Sequence, residues 1–318
     1  MTTQHTDLST APPIATGVEP TPHEVEAVEK SESRRGLLFR RFRRSKMGMF
    51  GTVVFVLLAI LAIIGPRYIA QWGYNEVDRG HYLESPSTRH WLGTTQDGRD
   101  LFALSMRGLG KSMIIGLTVA LLSTTMSAIV GSFAAYFGGW FERTSLWVID
   151  LLLVLPSFII IAVLLRNVSP GNSIWLLIIL LTLLGWMLTA RVVRSLTMSL
   201  RDREYVTAAK YMGVPGPTIV IRHIIPNISS LLIVDATVGV AAAVLAETTL
   251  SFFGFGIRPP ETSLGTLIGQ GARQATTFPW IFYAGAIPLV LLVLSVNFMG
   301  DGLRDALDPT SAKASGKA

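Results

Sequence analysis

Six apolar blocks, each about 15–25 residues long, limit what this chain can fold into more than any other feature. At about 1.5 Å of rise per residue, helices of that length match a bilayer core of roughly 30 Å. Helices are also the only open segments that satisfy all their backbone hydrogen bonds inside lipid. We place the spans at 47–64, 112–136, 146–165, 174–188, 231–250 and 280–299. With 50% of the residues hydrophobic and only 15% charged, the expected fold is all-α, a polytopic membrane protein with about six transmembrane helices.

Charge sets the expected topology. Arg34, Arg35, Arg40, Arg41, Arg43, Arg44 and Lys46 precede the first span with no acidic residue among them, which places the N-terminus in the cytoplasm. Between Arg67 and Arg107 five arginines face Glu76, Asp78, Glu84, Asp97 and Asp100, a balance that lets this loop cross. An even number of spans then returns the C-terminus to the cytoplasm. The net charge of +6 is thus a matter of topology rather than of nucleic-acid binding, because no aromatic platform accompanies the basic residues. The chain has no cysteine, which excludes disulfides, thiolate metal sites and cysteine nucleophiles.

The division that follows has four parts. Residues 1–33, rich in Thr, Pro and Glu, are expected to be a disordered cytoplasmic tail, and the first apolar block behind them a retained anchor rather than a cleaved signal. Residues 34–110 hold the basic segment, the first transmembrane helix and an external loop. Residues 111–301 form a core of five transmembrane helices, and 302–318 a cytoplasmic tail. Leu37, Leu38, Phe39 and Phe42, set among arginines, fit either an amphipathic helix on the inner leaflet or a plain charge anchor.

One polar stretch interrupts the apolar pattern. Between Arg191 and Arg222 lie eight charged side chains, Arg191, Arg194, Arg201, Asp202, Arg203, Glu204, Lys210 and Arg222. A charge at the bilayer centre costs roughly 2.5–3.5 kcal/mol, so the stretch is expected in water, and its six basic residues put it in the cytoplasm. A short helix is predicted at about 201–213, where Tyr205, Ala208, Ala209 and Met212 share one face at helical spacing. The two alanines offer a shallow seat for a neighbouring protein. Gly213 is placed to end the helix, Pro215 and Pro217 to prevent its continuation, and Pro226 to close the segment before the next span. The pattern fits a rigid lever between spans or an ordinary helical loop.

Within the spans, Asp150, Asp235 and Glu247 are the ionisable residues, and Asp235 and Glu247 are candidates for a transport pathway. Ser123, Thr124, Thr125 and Ser127, with Gly239, Ala241, Ala242, Ala243 and Ala246, fit close helix packing or a wet path. Pro156 and Pro288 are expected to kink their helices. Gly98, Arg99 and Asp100 are candidates for an external gate or partner contact, or for a plain turn with an internal ion pair. Gly108-Leu109-Gly110-Lys111-Ser112 ends like a phosphate-binding loop, but Ser105 stands where that loop needs glycine and no strand precedes it. His5, His23, His81, His90 and His223 show no metal-ligand spacing. An intramembrane aspartyl protease built on Asp150 and Asp235, and a self-sufficient channel or secondary transporter, are the rival classes; neither accounts for the 201–226 segment.

That segment resembles the cytoplasmic motif of binding-protein-dependent ABC importer permeases, Glu-Ala-Ala, three residues, Gly, then a spacer ending in Leu-Pro. Ala208, Ala209, Gly213 and Pro226 match it, while Thr207 replaces the Glu and Ile225 the Leu. Leu92-Gly93-Thr94 with Gly98-Arg99-Asp100, Tyr136-Phe137-Gly138-Gly139-Trp140, Arg222-His223-Ile224-Ile225-Pro226-Asn227, and Gly300-Asp301-Gly302-Leu303 resemble the dipeptide and oligopeptide branch, which also carries nickel, in its second permease subunit. The resemblance runs over residues 36 to 310. It implies the type I ABC importer permease fold in a bacterial cytoplasmic membrane. It further implies a homologous second permease, two ATPase subunits that bind ATP and Mg, and an extracytoplasmic binding protein that delivers the peptide. This chain would bind no cofactor and perform no catalysis. The ATPase contact would fall on Glu204, Tyr205, Ala208, Ala209, Met212, Gly213 and Pro226.

Overall fold

The computed structural model describes residues 34–166 and 168–307; the expected tail at 1–33 and residues 308–318 lie outside them. The regular structure among the described residues is all helical, with a single isolated bridge between Thr94 and Asp100 and no strand. Helix α1 (Arg34–Arg44) leads through Ser45, whose side chain accepts the Gly48 amide, into α2 (Lys46–Ile64). Then follow α3 (Leu101–Phe137), α4 (Gly139–Val154), α5 (Ser157–Leu165), α6 (Pro170–Gly185), α7 (Met187–Arg201) and α8 (Glu204–Tyr211). The last are α9 (Gly216–Ile219), α10 (Ile225–Phe252), α11 (Leu264–Ala272) and α12 (Pro279–Leu307).

Four helical runs are long and apolar enough to cross a membrane, and the count reaches six if each of two bent pairs is one span. The third predicted span is such a pair, with α4 and α5 meeting at 76°. Pro156 has no amide to donate, and it forces Leu155 out of the helical region to an extended ψ of 130°. The fourth is the other, with α6 and α7 bent by 42° at Trp186. In contrast, the assigned helix of α12 continues through Pro288 without interruption.

Three expected boundaries are corrected. Helix α3 begins at Leu101, so the external loop and the division at 110/111 end too late. Asp100 caps it by accepting the Ala103 amide at 2.8 Å, and the charges that obscured its start, Arg107 and Lys111, both pair with Glu261, at 3.6 and 3.2 Å. Helix α12 runs to Leu307, past the expected tail start at 302, because Gly302 lies against Gly48 closely enough that a Cβ there would fall 2.6 Å from its Cα. Contrary to expectation, Pro226 does not close the 201–226 segment ahead of the next span. It stands in the first turn of α10, inside a helical run from Gly216 to Phe252, and a π-turn at Val220–Ile224 sends the Ile225 amide to the Val220 carbonyl.

Gly65 at the end of α2 touches Met106 near the start of α3, and Trp280 at the start of α12 touches Gly93 in the loop. The Gly48–Gly302 contact lies at the opposite end, with the start of α10 and the end of α3. The first and last described helices therefore reach the same end of the bundle as α8, and the 70–100 loop covers the other. The loop is built around His90, fully buried, whose Nδ1 lies 2.9 Å from Asp100 and whose Nε2 lies 3.3 Å from Asp78.

Candidate functional site

Helix α8 has two faces. Val206 and Ala209, each 2% exposed, pack into a cluster with Ile219, Val220 and Ile224, bordered by Phe133, Tyr136 and Leu200. Glu204, Tyr205, Ala208, Tyr211 and Met212 point outward, the last two 88% and 76% exposed. Ala209 is thus corrected from docking residue to internal anchor. The shared face was read from spacing alone, which cannot tell which edge of an eight-residue helix meets its own bundle. Tyr211, missed in the sequence, joins the outer face one position before Met212.

Both ends of α8 are fixed. Glu204 in the first turn complements the positive end of the helix. At the other end Gly213 adopts φ +79°, the Gly213 amide bonds to the Lys210 carbonyl at 3.1 Å, and the Val214 amide bonds to the Ala209 carbonyl at 3.1 Å. This is a Schellman turn, and Val214 closes it by packing on the same apolar cluster. Just before α8, Arg201 donates to the Ala135 carbonyl at the end of α3, 3.0 Å away. The ends of α3, α7 and α10 thus meet around α8.

Between α3, α5, α6, α7 and α10 lies a cavity of about 570 Å³ with one acidic side chain in its wall, Asp235. Thr124 of α3 donates to Asp235 Oδ2 at 2.8 Å, and Thr189 of α7 donates to Oδ1 at 2.9 Å. Ser127 donates to the Trp186 carbonyl at 2.7 Å, which also accepts the Ala190 amide at 3.0 Å, and so ties α3 to the start of α7. The small residues divide between the two roles left open in the sequence. Ala241 packs in the core with Leu109, Met113 and Val244, whereas Ser123, Thr124, Ser127, Gly239, Ala242, Ala243 and Ala246 line the cavity; Gly131, not singled out in the sequence, brings α3 against Ala190 and Val193 of α7.

Glu247, the other pathway candidate, lines no part of this cavity. It is fully buried, and Ser112 and Ser251 donate to its two carboxyl oxygens at 2.9 and 2.7 Å. These bonds tie α3 to α10 next to α11. Asp150 pairs with Arg191 instead of Asp235, so the two aspartates share no proton and form no protease dyad. Glu142 accepts from Arg194 at 2.6 Å, a second tie between α4 and α7. Among the external candidates, Gly98 is buried with φ +71°, and Asp100 is buried as helix cap and His90 partner, so neither forms a contact surface. Arg99 is partly exposed and lines a separate pocket. Asp78 anchors the loop further: burial pushes its carboxyl upward, but the His90 hydrogen bond, Arg89 and His81 outweigh this and hold it below the usual value.

Membrane-length helices around a partly polar cavity, with an outward-facing helix fixed to the helix ends, define an integral membrane transport component. Residues 127–313 match the family described as binding-protein-dependent transport system inner membrane component, and residues 33–86 match the N-terminal TM domain of oligopeptide transport permease C. The oligopeptide transport system permease protein OppC of Mycobacterium tuberculosis is 50% identical over 279 residues, 88% of this chain and 96% of the relative. A putative peptide permease protein of Brucella suis is 36% identical over 273 residues, 85% and 89% of the two chains. OppC of Bacillus subtilis is 33% identical over 273 residues, 86% and 88%. The chain belongs to the family of inner-membrane components of binding-protein-dependent transport systems, and is a multi-pass permease of the bacterial cytoplasmic membrane.

Proposed function

We propose that this chain is one permease subunit of an ATP-driven importer of short peptides, forming half of the pathway beside a homologous second permease. The helix α8 end, with both termini, faces the cytoplasm, and the 70–100 loop faces outward to an extracytoplasmic binding protein. Two ATPase subunits bind ATP and Mg; this chain carries no cofactor of its own. The observation that carries the reading is the two-faced α8. Its inner face is locked into the ends of α3 and α10, while Tyr205, Ala208, Tyr211 and Met212 are free to meet a soluble partner. When ATP closes the ATPase pair, displacement of α8 passes to α7 and α10, which meet at Asp235, and the cavity changes access. The peptide reading is supported by the names of the relatives and by a cavity that combines apolar walls with an acidic group suited to a peptide's ammonium end.

The test is Ala208→Asp, which sets a charge on the exposed face without entering the core. We expect ATPase subunits to be lost on purification in mild detergent, and peptide uptake to stop, while the chain remains in the membrane at its normal melting temperature. A variant that still copurifies with ATPase and transports peptide overturns the assignment of α8. Purification of the unaltered chain alone, under conditions that preserve such complexes, points to a channel or secondary transporter.

A further inference from the structure

At the loop end of α10 lies a second pocket, of about 480 Å³, between the 95–99 segment, the turn after α10, and α11. None of the three arginines in its wall has an ion pair among the described residues, and two of them, Arg99 and Arg273, have no side-chain hydrogen bond there either. The Nε of Arg99 is sealed from solvent and has no hydrogen-bond partner. A guanidinium cannot shed its proton, so an arginine in a pocket wall with an unanswered donor favours an acceptor offered to the accessible part of its fork. The third arginine, Arg258, is already engaged, giving Nη2 to the carbonyls of Leu165 and Arg166 at 3.2 and 3.1 Å. Of the two acids in the wall, Glu261 lies within ion-pair distance of Arg107 and Lys111 outside the pocket, its Oε2 making no hydrogen bond, and Asp97 sits exposed. The pocket is therefore short of negative charge.

Its other wall is aromatic. Phe253 meets Phe158 edge to face at a centroid distance of 5.7 Å, and Phe158 also lines the inner cavity that contains Asp235. An anion in the outer pocket is thus separated from that cavity by one aromatic contact, and the charges run from arginine outside to aspartate inside. We propose that the outer pocket is a carboxylate site, with Arg99 and Arg273 receiving the C-terminal carboxylate of the transported peptide. This rests on the peptide-importer reading above. A free C-terminus is common to unmodified linear peptides whatever their side chains, and a guanidinium fork recognises it by paired, charge-assisted hydrogen bonds. The aromatic wall would take the last side chain without demanding a particular one.

The experiment uses the full complex with its binding protein in vesicles, and one tripeptide supplied both as the free acid and as the C-terminal amide. Any preference of the binding protein is the same for every permease variant, so the informative quantity is how the acid-to-amide uptake ratio changes. Arg99→Gln and Arg273→Gln are each expected to reduce this ratio about tenfold, the scale of one charge-assisted hydrogen bond. Arg273, exposed near the end of α11, keeps the test valid if Arg99→Gln fails to assemble. An unchanged ratio overturns the proposal. If in addition more binding protein is needed for half-maximal ATPase stimulation, the arginines serve a carboxylate of that protein instead. Absence of peptide uptake by the unaltered complex overturns the parent reading and this one with it.

Discussion

Replacing Gly213 isolates a backbone requirement from a spatial one. A Cβ added at this position meets nothing within 4 Å, so the substitution carries no initial steric penalty, yet φ is +79° and the Schellman turn depends on it. Holding an ordinary L-residue in that region costs roughly 1–2 kcal/mol, while asparagine tolerates it better and a β-branched residue worse. At about 1.4 kcal/mol per decade, Gly213→Ala should weaken the closed helix end by about 5–30-fold, Gly213→Asn by less and Gly213→Val by more. Hydrogen exchange at the Val214 amide, which bonds to Ala209 at 3.1 Å, reads the opening directly in the assembled complex. The same order, Gly, Asn, Ala, Val, should appear in peptide uptake per ATP hydrolysed. If Asn proves as damaging as Val, or Ala as mild as Gly, backbone conformation at this turn is not what couples α8 to the spans.

Two further outcomes follow from the packing and from the loop. Gly131→Ala should lower thermal stability in detergent by about 1–3 kcal/mol, because its Cβ would fall 2.5 Å from the Ala190 carbonyl. Gly239→Ala, with its nearest neighbour at 3.4 Å, should be close to neutral, and equal losses at the two sites would refute the packing argument. The lowered folded-state value of Asp78 means that its contribution is complete above its ordinary value of 3.8 and is lost as pH falls through the folded value. Asp78→Asn should therefore destabilise the loop at neutral pH, with the two proteins converging in acid; tryptophan emission, to which Trp72 beside His90 contributes, reports the change. A difference that widens in acid contradicts the sign.

What the sequence by itself determined is local in origin. Apolar length fixed the membrane helices, the residue before Pro156 fixed the break in the third span, and the glycine at 213 fixed the end of α8, since each depends on a few adjacent residues. Nine-residue α11 was not legible, because so short an apolar stretch does not separate from a loop by pattern. The tertiary structure decided the rest, through partners distant in the chain. Glu261, 150 or more positions along, lets Arg107 and Lys111 stand inside α3. Ala209 and Ala208 are identical side chains in sequence, and only the positions of Ile219 and Val220 make one an anchor and leave the other exposed. Asp235 and Glu247 both lie on α10, yet the first lines a cavity, where two threonines hold it, and the second is enclosed by serines away from it. Such differences arise when helices meet, because a side chain's neighbours across a packed interface are set by the angles and registers of whole helices rather than by its own surroundings in the chain.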